Sequence, residues 1–405
     1  MIDPNVPVEL TADQMVEVVR YLSVEVGPRR PATRAERTAA AYVHGQLRAL
    51  NPQWELTDQP FRTIPGFRWR ITPIAALTGL SLLGGLKGGR QRRWVTGLVS
   101  VGLSILSRDA FLARALPGES TLARGESQNV VVRIPPRRRA RRRVVFVAHL
   151  DSGVHRLTTS SGIVSHLPRT LGAVTLLALV GGVLTALAGG GQRWRTIRTG
   201  IAGLALGGSA LAMLDESGPS VAGANGNASG VAALLALARA LQADPLETTE
   251  VVLAFTGSAT AVGSGADTLA TEYGESWSDA LWVVVSNVGA GELCWVTRHG
   301  ISPYATYHPH PDAVRIMERV ADVRPDLGLM GKPMLSLDEV INLRDRDLMA
   351  VGLRAYDRVT GHIRNWRQRT DTIHEIDPLT IERAAQTLWT AAQVVDQADL
   401  WPPQE

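Results

Sequence analysis

Residues 144–153 read VVFVAHLDSG, five apolar residues followed by His149, Leu150, Asp151 and a Ser-Gly pair. An unbroken run of this kind, closed by polar residues and a glycine, is the pattern of a strand buried on both faces, as in parallel sheets. Val130–Ile134, Val251–Phe255 and Leu281–Ser286 repeat it. Helical periodicity fills the gaps: twice in Gln14–Leu50, broken at Gly27-Pro28, then in Gly230–Gln242 and Leu379–Asp396. Strands alternating with helices predict an α/β fold, a mixed, mostly parallel sheet flanked by helices. Ligands of such sheets collect beyond the carboxyl ends of the strands. His149, Phe255 and Ser286 each close a strand, so a site is expected there.

Composition narrows the class. Of 405 residues, 45% are hydrophobic and 20% charged, which excludes a disordered or fibrous chain. The single cysteine, Cys294, excludes an intramolecular disulfide and a cysteine-based zinc cluster. The net charge is +4, carried almost entirely by arginine, since Lys87 and Lys332 are the only lysines. The dense run Arg137–Arg143 has no interleaved aromatic residue and no nucleic-acid motif, so a solvated loop between strands is expected and a nucleic-acid partner is not. Met1–Leu10 carries acids and no apolar core of a secretory signal.

Four apolar stretches interrupt the α/β pattern: Ile71–Leu86, Trp94–Ser107, Thr170–Gln192 and Thr199–Leu214, of 16, 14, 23 and 16 residues. A bilayer-spanning helix takes about 20 apolar residues, so only the third qualifies by length alone. Pairing strengthens the case, because LKGGRQRR (86–93) joins the first two and GQRWRTIR (191–198) joins the last two. Glycines recur in the second pair (Gly181, Gly182, Gly189, Gly190; Gly200, Gly203, Gly207, Gly208), as membrane helix interfaces favour. Two transmembrane hairpins are expected, at residues 71–107 and 170–214, inserted into an α/β domain of residues 1–70, 109–165 and 215–405. The expected setting is therefore a multi-pass protein of the cell membrane, with the lipid bilayer as partner. Basic tips argue for tips in the cytoplasm. The arginine-rich leading segment of 70 residues argues the other way, and sidedness stays open.

The order of motifs resembles the co-catalytic di-zinc aminopeptidases, metallopeptidase family 28. VEVGPRRPATRAERTAAAYVHGQLRAL (24–50) is similar to that family's opening stretch and first long helix. SQNVVVRIPP (127–136) and VVFVAHLDSG resemble the strands leading to and carrying its first metal ligand. GANGNASGVAALLALARAL (223–241), VVLAFTGSATAVGS (251–264), VVVSNVGAG (283–291) and NWRQRTDTIHEID (365–377) follow in the family's order. The likeness covers nearly all of the chain outside the hairpins. Each hairpin then sits between elements of one domain and must return to the side it left, which favours four spans.

The resemblance implies metal-assisted hydrolysis, with two zinc ions sharing a hydroxide and a bridging carboxylate and a glutamate as general base. His149 matches the first ligand, and Asp151 the residue that orients it. The bridging aspartate falls on Gly226, which has no side chain. The Glu-Glu step falls near Ser258, Ala259 and Thr260, and no acid occurs between Glu250 and Asp267. Ser258 also lacks the second glycine of a serine-nucleophile elbow. The third strand end offers Ser286, or Asn287 in another register. The last histidine falls on Arg367, a permanent cation that repels zinc, while Asp371 remains to cap a turn or pair with an arginine. His299, His308, His310, His374, Asp267 and Glu292 are candidate replacement ligands. The expectation is a pseudopeptidase with no catalytic residues and no metal, acting by binding a peptide, a lipid or a protein partner. The alternative is an active zinc-dependent membrane aminopeptidase with a rebuilt site.

Overall fold

The computed structural model describes residues 11–86, 89–111, 125–160, 162–187, 191–261 and 263–397. Met1–Leu10, Lys87, Gly189 and Gly190 lie outside these. The strands are β1 (Glu55–Thr63), β2 (Gly125–Ile134), β3 (Arg142–His149), β4 (Thr249–Thr256), β5 (Leu281–Val285), β6 (Glu292–Ser302), β7 (Ala305–Tyr307), β8 (Met330–Pro333) and β9 (Met349–Tyr356). The helices are α1 (Ala12–Arg20), α2 (Arg34–Leu50), α3 (Arg68–Gly84), α4 (Arg90–Phe111), α5 (Leu167–Leu187), α6 (Gln192–Asp215), α7 (Ser229–Ala243), α8 (Ser264–Tyr273), α9 (Pro311–Val323), α10 (Val340–Arg344) and α11 (Pro378–Asp396).

The four expected strand runs are β2, β3, β4 and β5. Every residue of β4, β5 and β9 is buried, as continuous apolar runs require. Sheet order is β1-β2-β4-β3-β5-β9-β6-β7, with β8 beside β6. The centre, β4-β3-β5-β9, is parallel, whereas β1-β2, β2-β4, β9-β6 and β6-β7 pair antiparallel. With β6-β8 parallel, the pairings divide evenly, which corrects the expectation of a mostly parallel sheet. The outer strands escaped the sequence reading for a local reason. β1 carries Pro60 and alternates polar residues, as an edge strand tolerates.

Alternation along the strands feeds two cores. Val144, Phe146 and Ala148 join Met15, Val43, Leu234 and Leu388 under α1, α2, α7 and α11. Val145 and Val147 join Leu269, Trp277, Trp282 and Ile341 under α8 and α10. A fully buried side chain of this size contributes about 1.5–3 kcal/mol, so both faces hold the sheet. The break at Gly27-Pro28 is real: α1 continues through a wider turn to Val26 and stops at Gly27, whose φ of 74° only glycine adopts freely.

Arg29 then buries its guanidinium against the carbonyls of Leu22, Gly27, Leu150, Ala222 and Gly223. It ties the loops after β3 and before α7 to the chain's start. Those two loops carry the candidate site.

The apolar stretches form two antiparallel helix pairs, α3 with α4 and α5 with α6, and α3 lies against α6 and α4 against α5. Small residues set the spacing. A Cβ on Gly97 would stand 2.6 Å from the backbone of Ala186 and of Gly182, so the backbones touch as membrane helices do. The outer faces are apolar, with Leu77, Leu80, Leu98, Leu177, Leu204 and Leu211 exposed. Val164–Leu187 and Gln192–Asp215 are long and apolar enough to cross a membrane, with mean hydropathy 2.1 and 1.4. Their apolar windows are only 28% and 25% buried, unlike the core helix of a soluble protein. The first pair does not reach that measure among the described residues; α3 has 17 residues and contains Pro73.

Candidate active-site cleft

The carboxyl ends of β3, β4 and β5 open into a cavity of about 50 Å³ lined by His149, Gly226, Ala259, Ser286, Arg367 and Asp371, among others. That is room for a few water molecules. Six of the eight positions singled out in the sequence therefore converge. Asp151 lies just beneath them, and Ser258 does not join.

His149 Nδ1 is 2.9 Å from the Asp151 carbonyl oxygen and 3.4 Å from its Oδ1. The fully buried Asp151 carboxylate accepts from the backbone N–H groups of Ala259 and Thr260 at 3.0 and 2.8 Å and from the Thr260 hydroxyl at 2.5 Å. Burial works against its charge, but His149 and the Thr260 donors outweigh it and hold the carboxyl below its ordinary range. Asp151 thus pins the turn where the resemblance looks for glutamates.

Ser258 faces the other way. Its hydroxyl meets that of Thr63 at 2.6 Å, and its N–H donates to Glu36 Oε1 at 2.7 Å. It is neither a metal position nor a nucleophile of this cleft. Its partner Glu36, which sequence reasoning missed, is buried behind the turn. Burial, reinforced by the charge of Asp151, pushes its carboxyl up to about 8.

Gly226 leaves no place for a bridging carboxylate. A Cβ there would lie 2.7 Å from Asn287 Nδ2 and 3.4 Å from Asp371 Oδ2. Asn287 is held in turn, its Oδ1 accepting from Arg354 Nη1 at 2.9 Å, while Arg354 also donates to Asp338 Oδ2 at 2.9 Å. Arg354 on β9 and Asp338 gave no signal in the sequence, because only the sheet order brings them beneath β5.

Asp371 accepts from the N–H groups of Asn225 and Gly226 at 2.6 and 3.2 Å. It caps the turn, one of the two roles expected for it, although burial raises its carboxyl to about 6. The Asn and Ser side chains around Gly226 hold this turn together. Asn225 Oδ1 accepts from Gly289 N–H, Asn227 Oδ1 from Gly230 N–H, and the Ser229 hydroxyl donates to the Asn225 carbonyl. Arg367 donates from Nη2 to the Thr260 carbonyl at 3.0 Å. Burial pulls its guanidinium down to about 10, against the charges of Asp151 and Asp215, and it remains a cation at neutral pH.

Two carboxylates that gave no signal in the sequence line the cleft, Asp338 and Glu339. Glu339, 2% exposed, accepts from the Thr256 hydroxyl at 3.0 Å through Oε2 and, among the described residues, has no partner for Oε1. Burial pushes it up to about 7, and His149 pulls the other way. The Ser286 hydroxyl is also buried without a partner among the described residues.

The replacement ligands considered in the sequence stay elsewhere. His299 is buried behind the cleft, 2.9 Å from Asp338. His310 caps α9, Asp267 pairs with Arg346 and Glu292 with Arg383, while His308 is exposed. His374 lies on a short turn before α11. Among the described residues, no three His, Cys, Asp or Glu side chains are placed to hold a metal ion. A zinc ion needs at least three such donors. Here Gly226 and Ala259 offer none and Arg367 brings a positive charge, so these residues do not fit zinc.

Solved structures share this architecture. The fold is that of the zinc aminopeptidases and glutaminyl cyclases. A Bacteroides thetaiotaomicron glutaminyl cyclase bound to N-acetylhistamine superposes with a TM-score of 0.56 at 15% identity, over 96% of this chain and 99% of that one. A Bacillus subtilis zinc aminopeptidase gives 0.55 at 12% identity, over 96% and 95%. A zinc-dependent exopeptidase from Parabacteroides distasonis gives 0.55 at 16% identity, over 97% and 100%. No family model matches the sequence, and no curated protein does.

Three of the six arginines in the Arg137–Arg143 run pair with acids in place. Arg137 pairs with Asp244, Arg138 with Glu247 at 3.2 Å and Arg143 with Glu250 at 2.5 Å.

Proposed function

We propose that this protein is a membrane-embedded, metal-free member of the zinc-aminopeptidase fold that works by binding, not by hydrolysis. The observation that carries the reading is the Asn287 amide, 2.7 Å from where a Gly226 side chain would begin and locked there by Arg354. It fills the space of a bridging carboxylate, and Arg367 supplies positive charge where a second imidazole would bind metal. A cleft with this lining accepts a small polar group, such as the terminus of a peptide or the headgroup of a lipid. The exposed apolar faces of α5 and α6 support embedding in a bilayer.

Metal analysis of the purified full chain tests the first part. Zinc far below one per chain is expected; one or more zinc per chain, lost on His149→Ala, would defeat the reading. Recovery of the chain in the soluble fraction without detergent would defeat the second part. The rival reading, an active zinc aminopeptidase with a rebuilt site, draws on Glu339, which lines the cleft with His149 and has one buried carboxylate oxygen without a partner among the described residues. It requires chelator-sensitive release of N-terminal residues that Glu339→Gln abolishes.

A further inference from the structure

The tips of the two helix pairs lie side by side: a Cβ on Gly85, at the first tip, would stand 2.8 Å from Thr96 Oγ1 and would also meet Thr185 of the second pair. Arg198, nearly two turns into α6, is 0% exposed here. Its Nε donates back along the helix to the Trp194 carbonyl at 3.2 Å, which aims the guanidinium toward the tip. Among the described residues, Nη1 and Nη2 have no partner at all. The charges that act on it are Arg93 and Arg195, both cations. No acid occurs in 86–99 or 191–199, so nothing local on these segments neutralises the cluster.

A covered guanidinium among like charges is costly unless an anion meets it. Arginine presents its nitrogens as a fork that matches phosphate oxygens. The amino-terminal ends of α4 and α6 point their free N–H groups to the same region, which adds to the attraction for an anion. Trp94 and Trp194 are exposed beside the arginines, and tryptophan is enriched at the headgroup level of a bilayer. On the reading that these helices span a membrane, the tip sits at that level.

We propose that Arg198, with Arg93 and Arg195, binds the phosphate of an anionic lipid headgroup at the tip of the helix bundle. The site lies at the far end of the helices from the cleft. Basic pockets between membrane helices hold phosphate headgroups by the same physics.

The test uses the full chain purified in neutral detergent, with three probes: phosphatidylcholine vesicles, the same vesicles containing phosphatidylglycerol, and inorganic phosphate. Retention of phosphatidylglycerol over phosphatidylcholine, read by native mass spectrometry, is expected to be on the order of a hundredfold, about fivefold for each basic side chain. Arg198→Gln and, because Arg198 is buried, the surface variant Arg195→Gln should each lose part of that preference. In phosphatidylcholine alone, Arg198→Gln should melt above the wild type, because an unpaired buried charge is gone. The order should reverse in phosphatidylglycerol.

Thermal stabilisation by inorganic phosphate, lost in Arg198→Gln, without lipid preference would keep the anion site but assign it to free phosphate. No response to either anion, or a response in both variants equal to that of the wild type, would overturn the proposal. If the chain proves soluble without detergent, the membrane reading falls, while the phosphate arm still decides what Arg198 binds.

Discussion

Gly226→Ala isolates the contact on which the metal-free reading depends. The backbone at Gly226 has φ −119° and ψ 77°, which an alanine adopts without left-handed strain. The added Cβ would begin 2.7 Å from Asn287 Nδ2, closer than packed side chains approach. The amide cannot swing aside freely, because Arg354 holds its oxygen at 2.9 Å and Asp338 holds Arg354. Overpacking of this kind costs about 1–3 kcal/mol. Denaturant unfolding in detergent should therefore show Gly226→Ala less stable by that amount. Asn287→Ala alone should cost a similar amount through the unmet Arg354 donor, roughly 1–3 kcal/mol. The double variant should be less impaired than the sum by at least about 0.5 kcal/mol, because removing the amide makes room for the methyl. Gly226→Asp should behave like Gly226→Ala and bring in no zinc. A neutral Gly226→Ala, within about 0.5 kcal/mol of the wild type, would refute the reasoning, as would zinc captured by Gly226→Asp.

Glu339 and Asp371 have folded-state pKa values of about 7 and about 6, above their ordinary 4.5 and 3.8. The folded state then holds more protons than the unfolded chain between those values, so the contribution of the two groups to stability is fully present below about pH 4 and is lost as pH rises through about 6 and about 7. Glu339→Gln should flatten that slope in melts taken from pH 5 to 8, and an unchanged slope would contradict the assignment. Arg29→Ala leaves five buried carbonyls without their donor and should destabilise the domain by about 3 kcal/mol or more, read by chemical unfolding. Gly97→Leu, which drives a side chain into the backbone of Gly182 and Ala186 at 2.6 Å, should separate the helix pairs and expose the α3–α4 connection to protease in detergent. Asp151→Asn turns an amide N–H₂ toward the donors of Ala259 and Thr260. It should cost about 2–4 kcal/mol without any change in metal content.

The cleft was legible in the chain wherever a residue's type carries its role. The apolar run ending at His149, the glycine at 226, the absence of acids between Glu250 and Asp267 and the arginine at 367 could each be read in place. Their convergence depends on β3 and β4 ending at one level of the sheet and on the loops that carry Gly226 and Arg367 folding over those ends. Ser258 was misread because its neighbours Ala259 and Thr260 do face the cleft. A positive φ of 57° at Ser258 turns its side chain the other way, toward Thr63.

What the sequence by itself determined is the alternation of buried strands and helices, the two apolar helix pairs and the residue types at the positions where the resemblance looks for ligands. These follow from properties of single residues or short periodic runs, and no long-range contact is needed to see them. What only the tertiary structure decided is which distant groups gather around those positions. Arg354 from β9 and Asp338 and Glu339 from the loop before α10 reach the cleft through the sheet order β4-β3-β5-β9 and the helices packed on it, and Glu36 from α2 is buried behind its turn. Their burial, in turn, sets how readily they hold a proton. Both the meeting of these groups and their loss of solvent arise from contacts between segments far apart in the chain, which no local pattern encodes.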